Sequence, residues 1–257
     1  MNIKEFLQET KFCDFNHPSI KVIALDFKTR YEGKSRTELA VALFYFVRDY
    51  TNYKVGNWRK TASQTLAEKG GTCTNNSNLL VALCRAVGIP AGYGILEVVG
   101  PDYFGPIALP ALARVVSKRT KHIYCCVYLS GRWIKCDPSD DETLSINTQH
   151  LNPQSTLVEW NGISDAILKL HPSHILSDSW PLSNIDHVIN KKQRKKLYFP
   201  VRIANLYIDF LRKHGSKVSS IEMLEPKFLE WLKASHFVYY LFYSLLIKYF
   251  FAKESKK

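Results

Sequence analysis

The chain has 257 residues, a formal charge of +12 from 35 Lys and Arg against 23 Asp and Glu, and a hydrophobic content of 46% with 13% aromatics. That is too apolar for a disordered chain, it excludes collagen, coiled-coil and low-complexity classes, and the length suits one large domain or two small ones. The excess charge is uneven: residues 1–100 hold 13 basic and 9 acidic side chains, 101–185 hold 7 and 8, and 186–257 hold 15 and 6. A basic final third implies either a solvated basic face or an acidic partner, whether nucleic acid, anionic membrane or acidic protein.

In chain order, Met1 to Pro18 shows no apolar h-region, so no secretory signal is expected. A cytoplasmic protein with reduced cysteines follows from that reading. Leu39, Leu43, Phe46, Val47 and Tyr50 have helical spacing, with Ser35 or Thr37 as N-cap. A polar stretch with Tyr53, Trp58 and Gly70-Gly71 leads to a second helix that starts at Cys73. It runs through Asn76, Leu79, Leu80, Leu83 and Val87 and stops at Gly88 and Pro90. Ala91–Val99 alternates as a strand. Pro101, Gly105, Pro106 and Pro110 predict a loop. His122–Leu129 and Arg132–Asp137 read as strands joined by Ser130-Gly131 in a hairpin. From Leu157 onward the pattern is mainly helical. Segregated α+β is therefore the predicted class.

Phe237–Ile247 is an eleven-residue apolar run followed by Lys248 and Tyr249-Phe250-Phe251. A membrane span needs about 20 such residues. The run is expected to be a buried C-terminal helix rather than a membrane-contacting one over 237–251. Lys191–Lys196 carries five positive charges, but no recognisable nucleic-acid module accompanies it, so no nucleic-acid partner is expected.

The six cysteines, Cys13, Cys73, Cys84, Cys125, Cys126 and Cys136, form no C-x-x-C pair, so neither a zinc nor a dithiol motif is present and no cofactor or metal is expected. Cys73 is the chemically interesting one. At a helix start its sulfur meets the positive end of the helix dipole, which favours the thiolate. The glycines before it are expected to admit a substrate backbone. Cys84 reads as core. If Ser130-Gly131 is a two-residue turn, Leu129 opposes Arg132 and Tyr124 opposes Asp137. His122 and Asp137 then share a face as diagonal neighbours, whereas a three-residue loop would separate them. Cys125 and Cys136 fall on the other face, against the helices, and Cys126 lies on the His122 face without an activator. His171-Pro-Ser-His174 reads as a surface loop, lacking a third metal ligand.

Cys73, His122 and Asp137 make a nucleophile, base and orienter set. The Cys73 backbone N–H is a candidate oxyanion donor, with Tyr53 or Trp58 as candidates for the second.

Gly70-Gly71-Thr72-Cys73 with the following N-N-S-N-L-L-V-A-L-C-R-A-V-G-I-P-A, then His122 with Tyr124, Gly131-Arg132-Trp133 and Asp137-Pro138, resemble the transglutaminase-like superfamily. F-V-R-D-Y at Phe46–Tyr50 and T-A-S-Q-T-L at Thr61–Leu66 add to the resemblance, which covers roughly residues 35–140. Two positions depart from it: Tyr124 stands where Trp is usual, and Cys125-Cys126 where an acidic residue often follows. The resemblance implies a papain-like core, helices on an antiparallel sheet, in a catalytic domain over 1–185. The basic, mainly helical 186–257 would pack on the same domain. It places nucleophile, base and acid on Cys73, His122 and Asp137. It also implies a cysteine acyltransferase that forms an amide through a thioester, like the amide synthases of polyketide and non-ribosomal peptide (antibiotic) biosynthesis. Donors and acceptors would then be acidic acyl or peptidyl carrier proteins. A cysteine peptidase or amidase, or a non-catalytic interaction module, are the alternative readings.

Overall fold

The structure, a computed structural model, describes residues 2–100, 103, 105–139, 141–153, 157–191 and 198–251. Most of the basic run at Lys191–Lys196 lies outside the described residues. In chain order the helices are α1 (Pro18–Arg30), α2 (Arg36–Tyr50), α3 (Ala62–Glu68), α4 (Cys73–Ala86), α5 (Pro110–Ala113), α6 (Glu142–Thr148), α7 (Asp186–Ile189), α8 (Tyr198–His214), α9 (Leu224–Ser235) and α10 (Phe237–Phe251). The strands are β1 (Asn52–Tyr53), β2 (Gly70–Gly71), β3 (Ala91–Val99), β4 (Arg119–Leu129), β5 (Arg132–Cys136) and β6 (Ile175–Leu182). This is the expected α+β class, with an antiparallel sheet and a helical C-terminal extension.

The chain divides into two compact units. One comprises Met1–Val98, Lys121–Glu142 and Leu157–Gln193; the other comprises Val99–Thr120, Thr143–Thr156 and Arg194–Lys257. The two units interleave along the chain rather than following one another. The reason is local: Leu109, Leu112 and Leu151 are core partners of Ile203, Phe210, Phe228 and Tyr243 from α8, α9 and α10.

In the first unit α4 is the central element, since every residue from Cys73 to Arg85 is buried. Unpaired polar groups are costly inside an enclosed helix, and α4 spends several of them on the sheet, although the Asn76 side-chain amide is left without a hydrogen-bond partner. Ser77 Oγ donates to the Ile123 carbonyl at 2.9 Å, the Cys125 thiol donates to the Ser77 carbonyl at 3.2 Å, and Tyr93 Oη donates to Asn78 Oδ1 at 2.7 Å. Helix α2 starts as expected at Ser35, whose Oγ accepts from the Glu38 N–H while the Glu38 carboxylate accepts from the Ser35 N–H.

The larger sheet has the order β5-β4-β3-β6. The hairpin register is the predicted one, with Leu129 opposite Arg132 and Cys125 opposite Cys136. Ser130 and Gly131 take φ of 49° and 83°, the two positive values a two-residue I′-type turn requires. The mainly helical reading after Leu157 is corrected. A 3-10 turn at Pro172–His174 precedes β6, an exposed edge strand paired with β3, and the next helix is α7. With Pro181, three polar residues and no apolar alternation, β6 owes its strand state to backbone pairing with β3. The predicted loop at 101–110 holds a 3-10 turn, Gly105–Ile107, and leads into α5.

In the second unit α8, α9 and α10 pack through aromatic side chains, with Phe228 contacting Tyr207, Phe210 and Tyr243. The expectation of a buried C-terminal helix is half right. Tyr243 is buried and its hydroxyl donates to Glu225 at 2.5 Å, but the opposite face of α10 is exposed. An all-apolar run does not reveal in sequence that only one of its faces finds partners.

Candidate active site

The site begins with the chain entry into α4. Thr72 precedes the helix, and Asn75 Oδ1 accepts from both the Thr72 N–H and the Thr72 hydroxyl, each at 3.0 Å. The Asn75 amide also donates to the Trp58 carbonyl at 3.0 Å, tying the polar stretch to the helix start. β1 and β2 pair in parallel, Asn52 with Gly70 and Tyr53 with Gly71. A side chain on Gly70 would lie 2.6 Å from the Asn52 carbonyl oxygen, and one on Gly71 would lie 2.4 Å from Asn75 Cβ. The two glycines were expected to admit a substrate backbone. Instead they admit the chain's own backbone and cap, which fixes where α4 and Cys73 begin.

Cys73 is the first residue of α4 and is 7% exposed; His122 on β4 and Asp137 just past β5 are fully buried. His122 Nε2 and Asp137 Oδ2 are 2.6 Å apart, and the thiol of Cys73 hydrogen-bonds the same imidazole. The His122–Asp137 contact lies beyond the last paired residues of the hairpin, because after Cys136 the chain leaves β4. There the Asp137 N–H donates to the Ala166 carbonyl at 3.0 Å.

Asp137 uses both its oxygens. Oδ1 accepts from the Ser139 N–H at 3.0 Å and the Ser139 hydroxyl at 2.6 Å, and Oδ2 also accepts the Leu168 N–H at 3.4 Å. Ser139 was overlooked in the sequence, although an Asp followed two residues later by Ser is a recognisable local hydrogen-bonding pattern. Asp141 was overlooked too; its Oδ2 accepts the Tyr53 N–H at 2.9 Å and holds β1 beside the site.

These contacts set the charges. Burial works against an imidazolium, but the Asp137 carboxylate, aided by Cys73, pushes His122 up to about 10. Burial likewise works against the Asp137 carboxylate, yet His122 and the two Ser139 donors hold it below the usual range. Burial raises a thiol; here the charge and hydrogen bond of His122, with a hydrogen bond from the Ile123 backbone, bring Cys73 below its ordinary value. Elsewhere burial prevails: it pushes Cys13 up to about 11 and raises Cys84, Cys126 and Cys136 further. Cys125 and Cys136 lie in the helix-facing core, on the side expected of them.

Of the two candidates for a second oxyanion donor, Tyr53 has its hydroxyl raised by burial and by the charges of Cys73 and Asp137, so it lies within their reach. Trp58 is placed only through its backbone, by Asn75. His171 is an exposed turn residue whose Nδ1 pairs with the Ser173 hydroxyl at 2.7 Å. Among the described residues no group of three His, Cys, Asp or Glu is arranged to hold a metal ion.

No curated protein matches the sequence. A solved structure from Cytophaga hutchinsonii, provisionally described as a cysteine protease, is 22% identical, with a TM-score of 0.42. The match covers 53% of this chain and 42% of that one. Residues 24–138, a segment that contains Cys73, His122 and Asp137, match the family model of the transglutaminase-like superfamily.

Proposed function

We propose that the protein is a cysteine-dependent acyltransferase working through a Cys73 thioester. The observation that carries the reading is the hydrogen-bonded line from Cys73 through His122 to Asp137, in which the thiol is lowered and the imidazole raised. The Cys73 thiolate adds to the acyl carbon, and the carbonyl oxygen takes up negative charge. The Cys73 N–H, in the first turn of α4 where no intrahelical partner exists, is oriented as one donor to that oxyanion. As the C–X bond breaks, His122 gives its proton to the leaving group, and a thioester remains. An acceptor amine then loses a proton to His122 as it attacks, and collapse expels the Cys73 thiolate with the imidazolium restored. Asp137 keeps the ring oriented throughout.

The burial of His122 and Asp137, and of nearly all of Cys73, supports an amine rather than water as acceptor, since a site with little solvent disfavours hydrolysis. A thioester is the donor class of this reading, because exchange of one thioester for another is nearly balanced in energy. An acidic carrier protein is the form of donor that the basic final third suits.

The test is intact mass after incubation with an acyl thioester, with and without an added amine. The expected result is an acyl adduct that discharges to the amine and is absent in Cys73→Ala. Discharge to water at the same rate whatever amine is present would replace the transferase reading with a hydrolase. A wild-type protein that no acyl donor modifies would end both.

A further inference from the structure

We infer that α10 is a membrane-surface contact, laid in the plane of an anionic bilayer. Phe237, Val238, Leu241, Phe242, Leu245 and Tyr249 stand on one side of α10 and are between 40% and 61% exposed. At 100° per residue these positions fall within one sector of the helix, centred near Leu245, while Tyr243 points the opposite way into the core. Phe199 of α8 extends the apolar face by stacking on Phe242, their ring centroids 4.2 Å apart. Contiguous exposed apolar patches of this kind mark interaction sites on folded proteins.

The rim of that face says what covers it. Lys248 is exposed at one edge of the sector. Arg202, which hydrogen-bonds Tyr239, and Arg114, over the Phe250 ring, lie further round, towards the core side of the helix, about 120° and 140° from Leu245. Helix α10 contains no acidic residue, and residues 186–257 carry 15 basic against 6 acidic side chains. Large aromatic and aliphatic groups inserted among headgroups, with cations around them, are the features of an interfacial helix on anionic lipid. The geometry favours lying over crossing: 15 residues span about 22 Å against a hydrocarbon core of about 30 Å. Among the described residues no helix is long and apolar enough to cross a membrane.

The inference stands independently of the Cys73 chemistry. Co-sedimentation of the full chain with phosphatidylcholine vesicles, with and without phosphatidylglycerol, tests it. The expected result is binding that needs the anionic lipid, weakens with added salt, persists in Cys73→Ala, and drops about tenfold or more in Val238→Glu/Leu245→Glu. The control Val22→Glu/Leu25→Glu, at equally exposed apolar positions of α1, should bind as wild type. Circular dichroism confirms that both variants fold. Wild-type protein that binds neither vesicle, or an α10 variant that binds as well as wild type, would overturn the inference. So would a wild-type dimer that the α10 variant makes monomeric, because a second copy would then cover the face.

Discussion

Asp137→Asn is expected to lower acyl transfer by about 10³-fold or more, with the fold retained; loss of the orienting acid in a serine triad costs on the order of 10⁴-fold. The carboxylate lies 2.6 Å from Nε2 and opposes the burial that would otherwise keep His122 neutral. A neutral amide of the same shape removes that opposition. The imidazole then loses its proton near neutrality, and the thiol, no longer beside a cation, climbs as burial dictates for the other buried cysteines. The measurement is the single-turnover rate of thioester formation, which isolates the nucleophile from any later step. Ser139 offers a graded comparison: Ser139→Ala removes one donor to Oδ1 but leaves the His122 contact, so its effect should be far smaller.

The second large effect is on pH. Acyl transfer is expected to follow a bell with an unusually wide upper side. The thiolate and imidazolium coexist above the lowered value of Cys73 and below about 10, where His122 gives up its proton. The rate should therefore rise at a pH below the thiol's ordinary 9.0 and fall only as pH passes about 10. Stability follows the same groups with their own signs. His122 is raised above its ordinary 6.5, so its contribution is complete below that pH and is lost as pH climbs through about 10. Asp137 is lowered below 3.8, so its contribution is complete above that value and is lost as pH falls through the folded-state value. A rate profile in wild-type protein that falls off at the ordinary histidine value would show that the imidazolium is not held.

What could be read from residues alone was whatever local chemistry decides. Ser130-Gly131 determined the hairpin turn and its register, while the His122–Asp137 contact forms just past the last paired residues, where Asp137 pairs with Ala166. Ser35 with Glu38 marked the start of α2, and Gly70-Gly71-Thr72 before an apolar run marked the start of α4. The failures arose where a distant segment decides. β6 is a strand only because β3 offers it a partner, and nothing in its own alternation says so. The glycines before Cys73 looked like room for a substrate, yet Asn52 and Asn75 occupy that room. α10 looked buried because its composition is apolar all round, whereas the core has a place for only one of its faces. Ser139 and Asp141 passed unnoticed because each acts through another residue, on Asp137 and on the Tyr53 backbone.

The central claim is that His122 holds Cys73 as a thiolate. Its most direct test is the rate of Cys73 alkylation by iodoacetamide against pH, located by peptide mass, in wild-type protein and in His122→Ala. Wild type should react below pH 9, with the rate rising through the lowered thiol value. In His122→Ala the same cysteine should react slowly near neutrality and speed up only as pH reaches or passes the ordinary thiol value, as burial alone requires. Identical profiles in the two proteins, both rising at the ordinary thiol value, would contradict the account.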